Sequence, residues 1–237
     1  MAGNRSIIDQ LPEDIWVNIA CKVVNNSTYD LFRMRSACKL FRHVGKSQHV
    51  YKNASLFDIG LEPFSLCIHN STRLFLEQCK LSCNAKALFR FGFDHYFAIR
   101  FDTSNPLYLI RMAAMNGHLE AMYFYSVLVV CSNELEENTR HVVQFVQRLI
   151  TLGALEKCRD NIRCILLAGT WWVRNIPLIS QQRIVCRAST CSTSGSMPQR
   201  HLQYKLNEGS INVTCVECRL DFEVLVFFDI LSRIDFE

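Results

Sequence analysis

The sequence predicts a mainly α protein: a short helical module at the amino terminus, then a domain of α-hairpin repeats, then a small cysteine-rich tail ending in a helix. Three observations predict it. Apolar residues recur at helical spacing from Leu11 onward, the middle of the chain aligns with itself at an offset of about 34 residues, and only 9 Gly and 5 Pro interrupt 237 residues that are 49% hydrophobic. The domain boundaries expected from these patterns are 1–52, 65–168 and 180–237, with a polar linker near 189–198 inside the last.

Composition excludes several classes. A formal charge of +4, from 26 Lys and Arg against 22 Asp and Glu, is too mild to argue by itself for nucleic acid. The opening residues hold no apolar run of the kind a secretory signal needs before Asp9 and Pro12, and the longest uncharged apolar stretch, 121–131, is far short of the roughly 20 residues that span a bilayer. The expectation is a protein of the cytoplasm, the nucleus or both, with no membrane partner, whose 12 cysteines stay reduced or bind metal.

In the opening segment, Leu11-Pro-Glu-Asp-Ile places a proline and two acids where a first helical turn starts, which suits the fixed φ of proline and the positive end of the helix dipole. Leu11, Ile15, Ile19 and Val23 then recur every four residues as one apolar stripe, flanked by Trp16 and Ala20. Asn25-Asn-Ser-Thr can cap a second helix carrying Leu31, Met34 and Cys38, with Phe41 and Val44 after it. Two or three short helices of this size bury little by themselves, so part of the apolar face needs a partner. Arg33, Arg35, Lys39, Arg42 and Lys46 form a basic run without acidic partners, either a solvated face or a complement to an acidic protein.

These residues resemble an F-box: the Leu-Pro-Glu-Asp-Ile start, the step from Leu31 to Met34, and the Ser36-Ala-Cys-Lys-Leu-Phe-Arg ending. The resemblance implies docking onto a Skp-type adaptor and, through it, a cullin. Carried over by position, the adaptor contacts are Leu11, Pro12, Ile15, Ile19, Leu31 and Met34, while Val23-Val24 stands where the family usually has leucine. The alternative is a helical hairpin packed on the rest of its own chain.

In the middle, Ala87-Leu-Phe-Arg-Phe-Gly aligns with Ala121-Met-Tyr-Phe-Tyr-Ser, and Cys79 with Ala113. Small residues at Ala113 and Ala121 allow close helix crossing, and Asn116-Gly117 supplies the left-handed residue that ends a helix. The stretch from Leu109 to Tyr125 is similar to a Sel-one-like repeat, a relative of the tetratricopeptide hairpin, with Ser126 in place of the usual glycine. A third copy over about 141–167 rests on helical pattern alone and lacks the Ala and Gly marks. Stacked hairpins suit the binding of a protein substrate, whose identity the sequence does not give, and Phe89, Phe91, Tyr123 and Tyr125 are either core or part of that surface.

In the tail, Cys186-x4-Cys191 and Cys215-x2-Cys218, separated by 23 residues, supply four thiols in two close pairs, as a tetrahedral structural zinc requires. His201 is an alternative ligand, and buried free cysteine is the plain alternative to a metal site. A helix follows directly from Cys218, and its first amides face the thiols. The cysteine pairs with the acidic-aromatic helix after them resemble the tails of plant F-box proteins that carry Sel-one-like repeats.

No phosphate loop, nucleophile elbow or zinc-protease helix is legible, so no catalytic residue is assigned, and a pairing of Cys131 with His141 stands only on proximity in sequence. The function the resemblance implies is the substrate-recognition subunit of an SCF-type ubiquitin ligase, with no cofactor required beyond a structural zinc. The competing expectations are a helical-repeat scaffold and a zinc-containing nucleic-acid binder without a role in ubiquitin transfer.

Overall fold

The computed structural model describes residues 11–59, 70–97, 105–131, 135–168, 186, 191 and 215–234, and among these every regular element is an α-helix. In chain order they are α1 (Glu13–Asn26), α2 (Thr28–Ala37), α3 (Lys39–Val44), α4 (Gln48–Lys52), α5 (Asn70–Leu81), α6 (Ala85–Phe97), α7 (Pro106–Met115), α8 (Leu119–Cys131), α9 (Leu135–Thr151), α10 (Leu155–Ala168) and α11 (Val216–Ile234). They form two compact units, Met1–Phe91 and Gly92–Glu237, divided within α6.

In the first unit Pro12 stands just ahead of α1, with Glu13 and Asp14 in the first turn. Ser27 caps α2 by accepting from Asp30 N at 3.2 Å, within the polar stretch expected to do so. The expected helix through Cys38 is instead broken there. Cys38 is extended, with φ −155°, and its sulfur caps α3 by accepting from Phe41 N at 3.4 Å. The spacing of Leu31, Met34 and Cys38 therefore covers two helices, because a local cap competes with helix propagation at that residue.

The core of this unit gathers Ala20, Val24, Leu31, Val50, Phe75 and Leu76, with Trp16 against Phe41 at 5.2 Å between ring centroids and Phe32 edge-on to Phe75 at 5.2 Å. Asn84 joins the opening helices to the first repeat. Its buried amide Nδ2 donates to the carbonyls of Tyr51 (3.0 Å), Lys52 (3.0 Å) and Ala54 (2.9 Å), while Oδ1 accepts from Lys86 N (3.0 Å) and Ala87 N (3.1 Å) at the start of α6. One side chain thus satisfies the carbonyl end of α4 and the amide end of α6.

Three hairpins repeat one turn geometry. The left-handed residue is Cys83 (φ 57°) between α5 and α6, Gly117 (φ 91°) between α7 and α8, and Gly153 (φ 60°) between α9 and α10. Each turn carries the same two backbone bonds: Asn84 N to Cys79 O and Cys83 N to Lys80 O, His118 N to Ala113 O and Gly117 N to Ala114 O, Ala154 N to Leu149 O and Gly153 N to Ile150 O. This is the Schellman closure, which satisfies helix-end carbonyls through a left-handed residue. Gly153 corrects the expectation that the third copy lacks a glycine mark.

In the first copy glycine also occupies the crossing position. A Cβ on Gly92 would lie 2.7 Å from Ile110 Cγ1 and 3.0 Å from Ile110 N, so α6 and α7 meet closely there. The corresponding Ser126 is buried and donates to Met122 O at 2.7 Å. In the second unit α8 is enclosed on every side from Ala121 to Cys131, packed by α7, α9, α10 and α11. The terminal helix is therefore part of the repeat core.

Candidate functional site

Two features of the described residues carry chemistry: the exposed face of α1 and a cluster of thiols at the start of α11. On α1, the i, i+4 spacing sends Ala20 and Val24 inward and leaves Leu11 (40% exposed), Ile15 (39%) and Ile19 (36%) outside, with Pro12 exposed at the head of the row. Val23 is half-buried. Ile15 and Ile19 on one face of α1, with Leu11 just ahead of it, form an exposed apolar ridge backed by a packed core.

The remaining expected contacts are placed differently. Met34 is half-buried at the margin of the core cluster, and Leu31 is 0% exposed within it. Leu31 supports the ridge from beneath and offers no side-chain surface, because the pairing of α1 with α2 turns it inward. Of the basic run, Arg33 lies over the Tyr29 ring at 4.3 Å and 3.8 Å from Asp30, so it does have an acidic neighbour; Lys39, Arg42 and Lys46 are exposed and Arg35 is half-buried against Phe32. His43 Nε2 lies 3.1 Å from Glu13 Oε1 at the head of α1.

The aromatic residues of the repeats are largely core. Phe89, Tyr123 and Tyr125 are buried, and Phe91 is half-buried beneath the Lys80 ammonium, 4.3 Å from the ring centroid. Burial pushes the thiols of Cys79, Cys131 and Cys158 up to about 12, Cys158 with a further push from Glu120 and an opposing pull from Lys157. Burial thus favours the protonated thiol of Cys131 over the thiolate.

The thiols in the tail do converge. The sulfurs of Cys186, Cys191, Cys215 and Cys218 all lie within 4.8 Å of one another, with Cys186 to Cys215 at 3.9 Å and Cys191 to Cys218 at 3.4 Å. A tetrahedral zinc bound at about 2.3 Å to four sulfurs places them about 3.8 Å apart, so the donor set fits a metal of that size and preference. Cys215 immediately precedes α11 and Cys218 sits in its first turn, where the helix dipole favours thiolate. Cys186 N donates to Asp221 Oδ2 at 3.1 Å. His201, the alternative ligand, lies outside the described residues.

Beside the cluster, α11 is tied to the repeats by charges that the sequence reading missed. Glu223, 1% exposed, accepts from Arg159 Nη1 (3.2 Å), Arg219 Nε (3.2 Å) and the Tyr123 hydroxyl (3.3 Å), and Arg219 Nη2 reaches Glu156 Oε1 at 3.2 Å. Burial raises the Glu223 pKa, while both guanidiniums and the hydroxyl pull it down. The available signal was Arg219 and Glu223 at i, i+4 on a helix otherwise rich in apolar residues, a pattern that marks a buried ion pair when both faces are covered.

Comparison with known proteins agrees with this architecture. The family model described as plant tetratricopeptide repeats matches residues 61–167. The chain is also similar to two Arabidopsis thaliana proteins named as F-box proteins. One is 30% identical over 172 residues, which is 71% of this chain and 56% of that relative; the other is 27% identical over 139 residues, 59% of this chain and 83% of that relative. The match thus spans little more than half the length of the first. No solved structure matches the chain significantly.

Proposed function

We propose, from the chain's relationship to plant F-box proteins and its plant tetratricopeptide-type repeats, that it is the substrate-recognition subunit of an SCF-type ubiquitin ligase. The observation that carries this is the open ridge of Leu11, Ile15 and Ile19 at the head of the chain. In the proposal, Leu11, Pro12, Ile15 and Ile19 meet a Skp-type adaptor, Met34 lines the margin and Leu31 props α1 from within. The exposed cations Lys39, Arg42 and Lys46 complement an acidic adaptor surface and speed encounter.

The mechanism is positional and non-catalytic. The adaptor joins the chain to a cullin, the repeat unit holds a protein substrate, and proximity raises the effective concentration of substrate lysines near charged ubiquitin. Zinc held by Cys186, Cys191, Cys215 and Cys218 would fix the start of α11 against the repeats. The proposed setting is the cytoplasm or nucleus, where such ligases act.

The test is capture of purified Skp-type adaptor by the full chain. Changing Leu11, Pro12 and Ile15 together to alanine lowers adaptor affinity at least a hundredfold, about 3 kcal/mol, because central apolar contacts dominate such interfaces. All three are exposed, so helical content is expected to stay constant. Wild-type affinity in the triple variant refutes the docking face.

A further inference from the structure

We propose that Asp221 is the positioning residue of the four-thiol centre, holding Cys186 in place so that the ligand set is preformed; the inference rests on the metal reading given above. Among the four sulfurs, two are placed by α11 itself: Cys218 is in its first turn, and Cys215 carries the carbonyl that accepts from Arg219 N at 2.9 Å. Cys186 comes from far away in the chain, 32 positions before Cys218. Asp221, 35 positions later, reaches it: its Oδ2 accepts from Cys186 N at 3.1 Å.

The placement is specific. Asp221 lies three residues after Cys218 on α11, so the two occupy one face of the helix, and both are buried, Asp221 at 7% exposed. A carboxylate buried beside thiols is costly in a low-dielectric interior, and its charge is unfavourable to neighbouring thiolates. An apolar residue would fill the same space without that cost. For Cys186 the carboxylate satisfies a buried amide and fixes the backbone from which the sulfur extends. Partners that orient metal ligands in this way typically change metal affinity 10- to 100-fold when removed.

Zinc affinity of the full chain, measured by competition with a chromophoric chelator, and the thiolate-to-cobalt charge-transfer band of the cobalt-substituted protein test this together. Asp221→Ala is expected to weaken zinc binding by about 10- to 100-fold and to alter the cobalt band. Asp221→Val, which keeps more bulk but offers no acceptor, is expected to do the same and serves where the alanine variant does not fold. Asp221→Asn, whose side-chain carbonyl still accepts from Cys186 N, is expected to stay near wild type. Wild-type affinity and an unchanged band in the acceptor-less variants overturn the inference, as does an asparagine variant no better than alanine. Failure of the unaltered chain to take up either metal rejects the centre itself, and this inference with it.

Discussion

Arg159 on α10 and Glu223 on α11 stand 64 positions apart in the chain and meet at 3.2 Å in the interior of the second unit. With Arg219, whose Nε donates to the same Oε1, they bind the terminal helix to the repeats by charge as well as by apolar packing. Breaking a buried pair leaves a charge unsolvated, so Arg159→Met is expected to cost about 3–5 kcal/mol at neutral pH. The variant loses one of the groups that lower the Glu223 pKa, which burial already holds above 4.5. A carboxyl that binds its proton more tightly folded than unfolded loses stability as pH rises from 4.5 toward its folded value. The deficit of Arg159→Met therefore shrinks as pH falls toward 4.5, and denaturant titrations across that range measure it.

Asn84 is the corresponding joint in the first unit. Asn84→Ala leaves the carbonyls of Tyr51, Lys52 and Ala54 without this donor and removes the cap of α6, for an expected loss of about 2–4 kcal/mol. Asn84→Asp keeps the cap but turns an acceptor toward those three carbonyls, and is expected to be no better. Urea midpoints of the two variants decide the point.

The three hairpin turns make opposite predictions for the same exchange. Cys83 adopts φ 57° with a side chain, so Cys83→Gly relieves strain and is expected to be neutral or stabilising by up to about 1 kcal/mol. Gly117→Ala and Gly153→Ala meet no atom within 4 Å, so their cost, about 1 kcal/mol each, comes from backbone conformation alone. Gly92→Ala has a negative φ but drives its Cβ into Ile110, and is expected to cost more than either. Melting temperatures rank the four.

Thiol chemistry separates the cysteines. In the folded, zinc-loaded chain an alkylating reagent is expected to label the exposed Cys83 and Cys164 first among the described cysteines, and to spare Cys79, Cys131 and Cys158, which burial keeps protonated. A chelator is expected to add Cys186, Cys191, Cys215 and Cys218 as a set. Mass spectrometry of the labelled peptides reads both results, and equal labelling with and without chelator removes the metal from that cluster.

Much of the architecture was legible in the residues because it depends on local rules. The i, i+4 row from Leu11 to Ile19 marked the ridge, Gly117 marked a helix end, and two close cysteine pairs marked a site whose sulfurs do converge. Leu31 and Cys38 were harder, since apolar spacing does not say whether a residue faces a neighbouring helix or caps one. Gly153 was overlooked for a similar reason: the third copy has Leu149 where the second has the small Ala113, so its turn was not marked by its neighbours.

The sequence by itself determined that this chain is helical, that it carries an apolar row at its head and that four thiols lie in two pairs, because each follows from spacing within a turn or two of backbone, and that it repeats, because like residues recur at an offset of about 34. Only the tertiary structure decided that α11 packs on α8, α9 and α10, that Arg159, Arg219 and Tyr123 share the Glu223 carboxylate, and that Asp221 reaches Cys186. Apart from the i, i+4 step from Arg219 to Glu223, those relationships join residues tens of positions apart, and what selects them is the cost of leaving a buried charge or amide without a partner once the helices have closed around it.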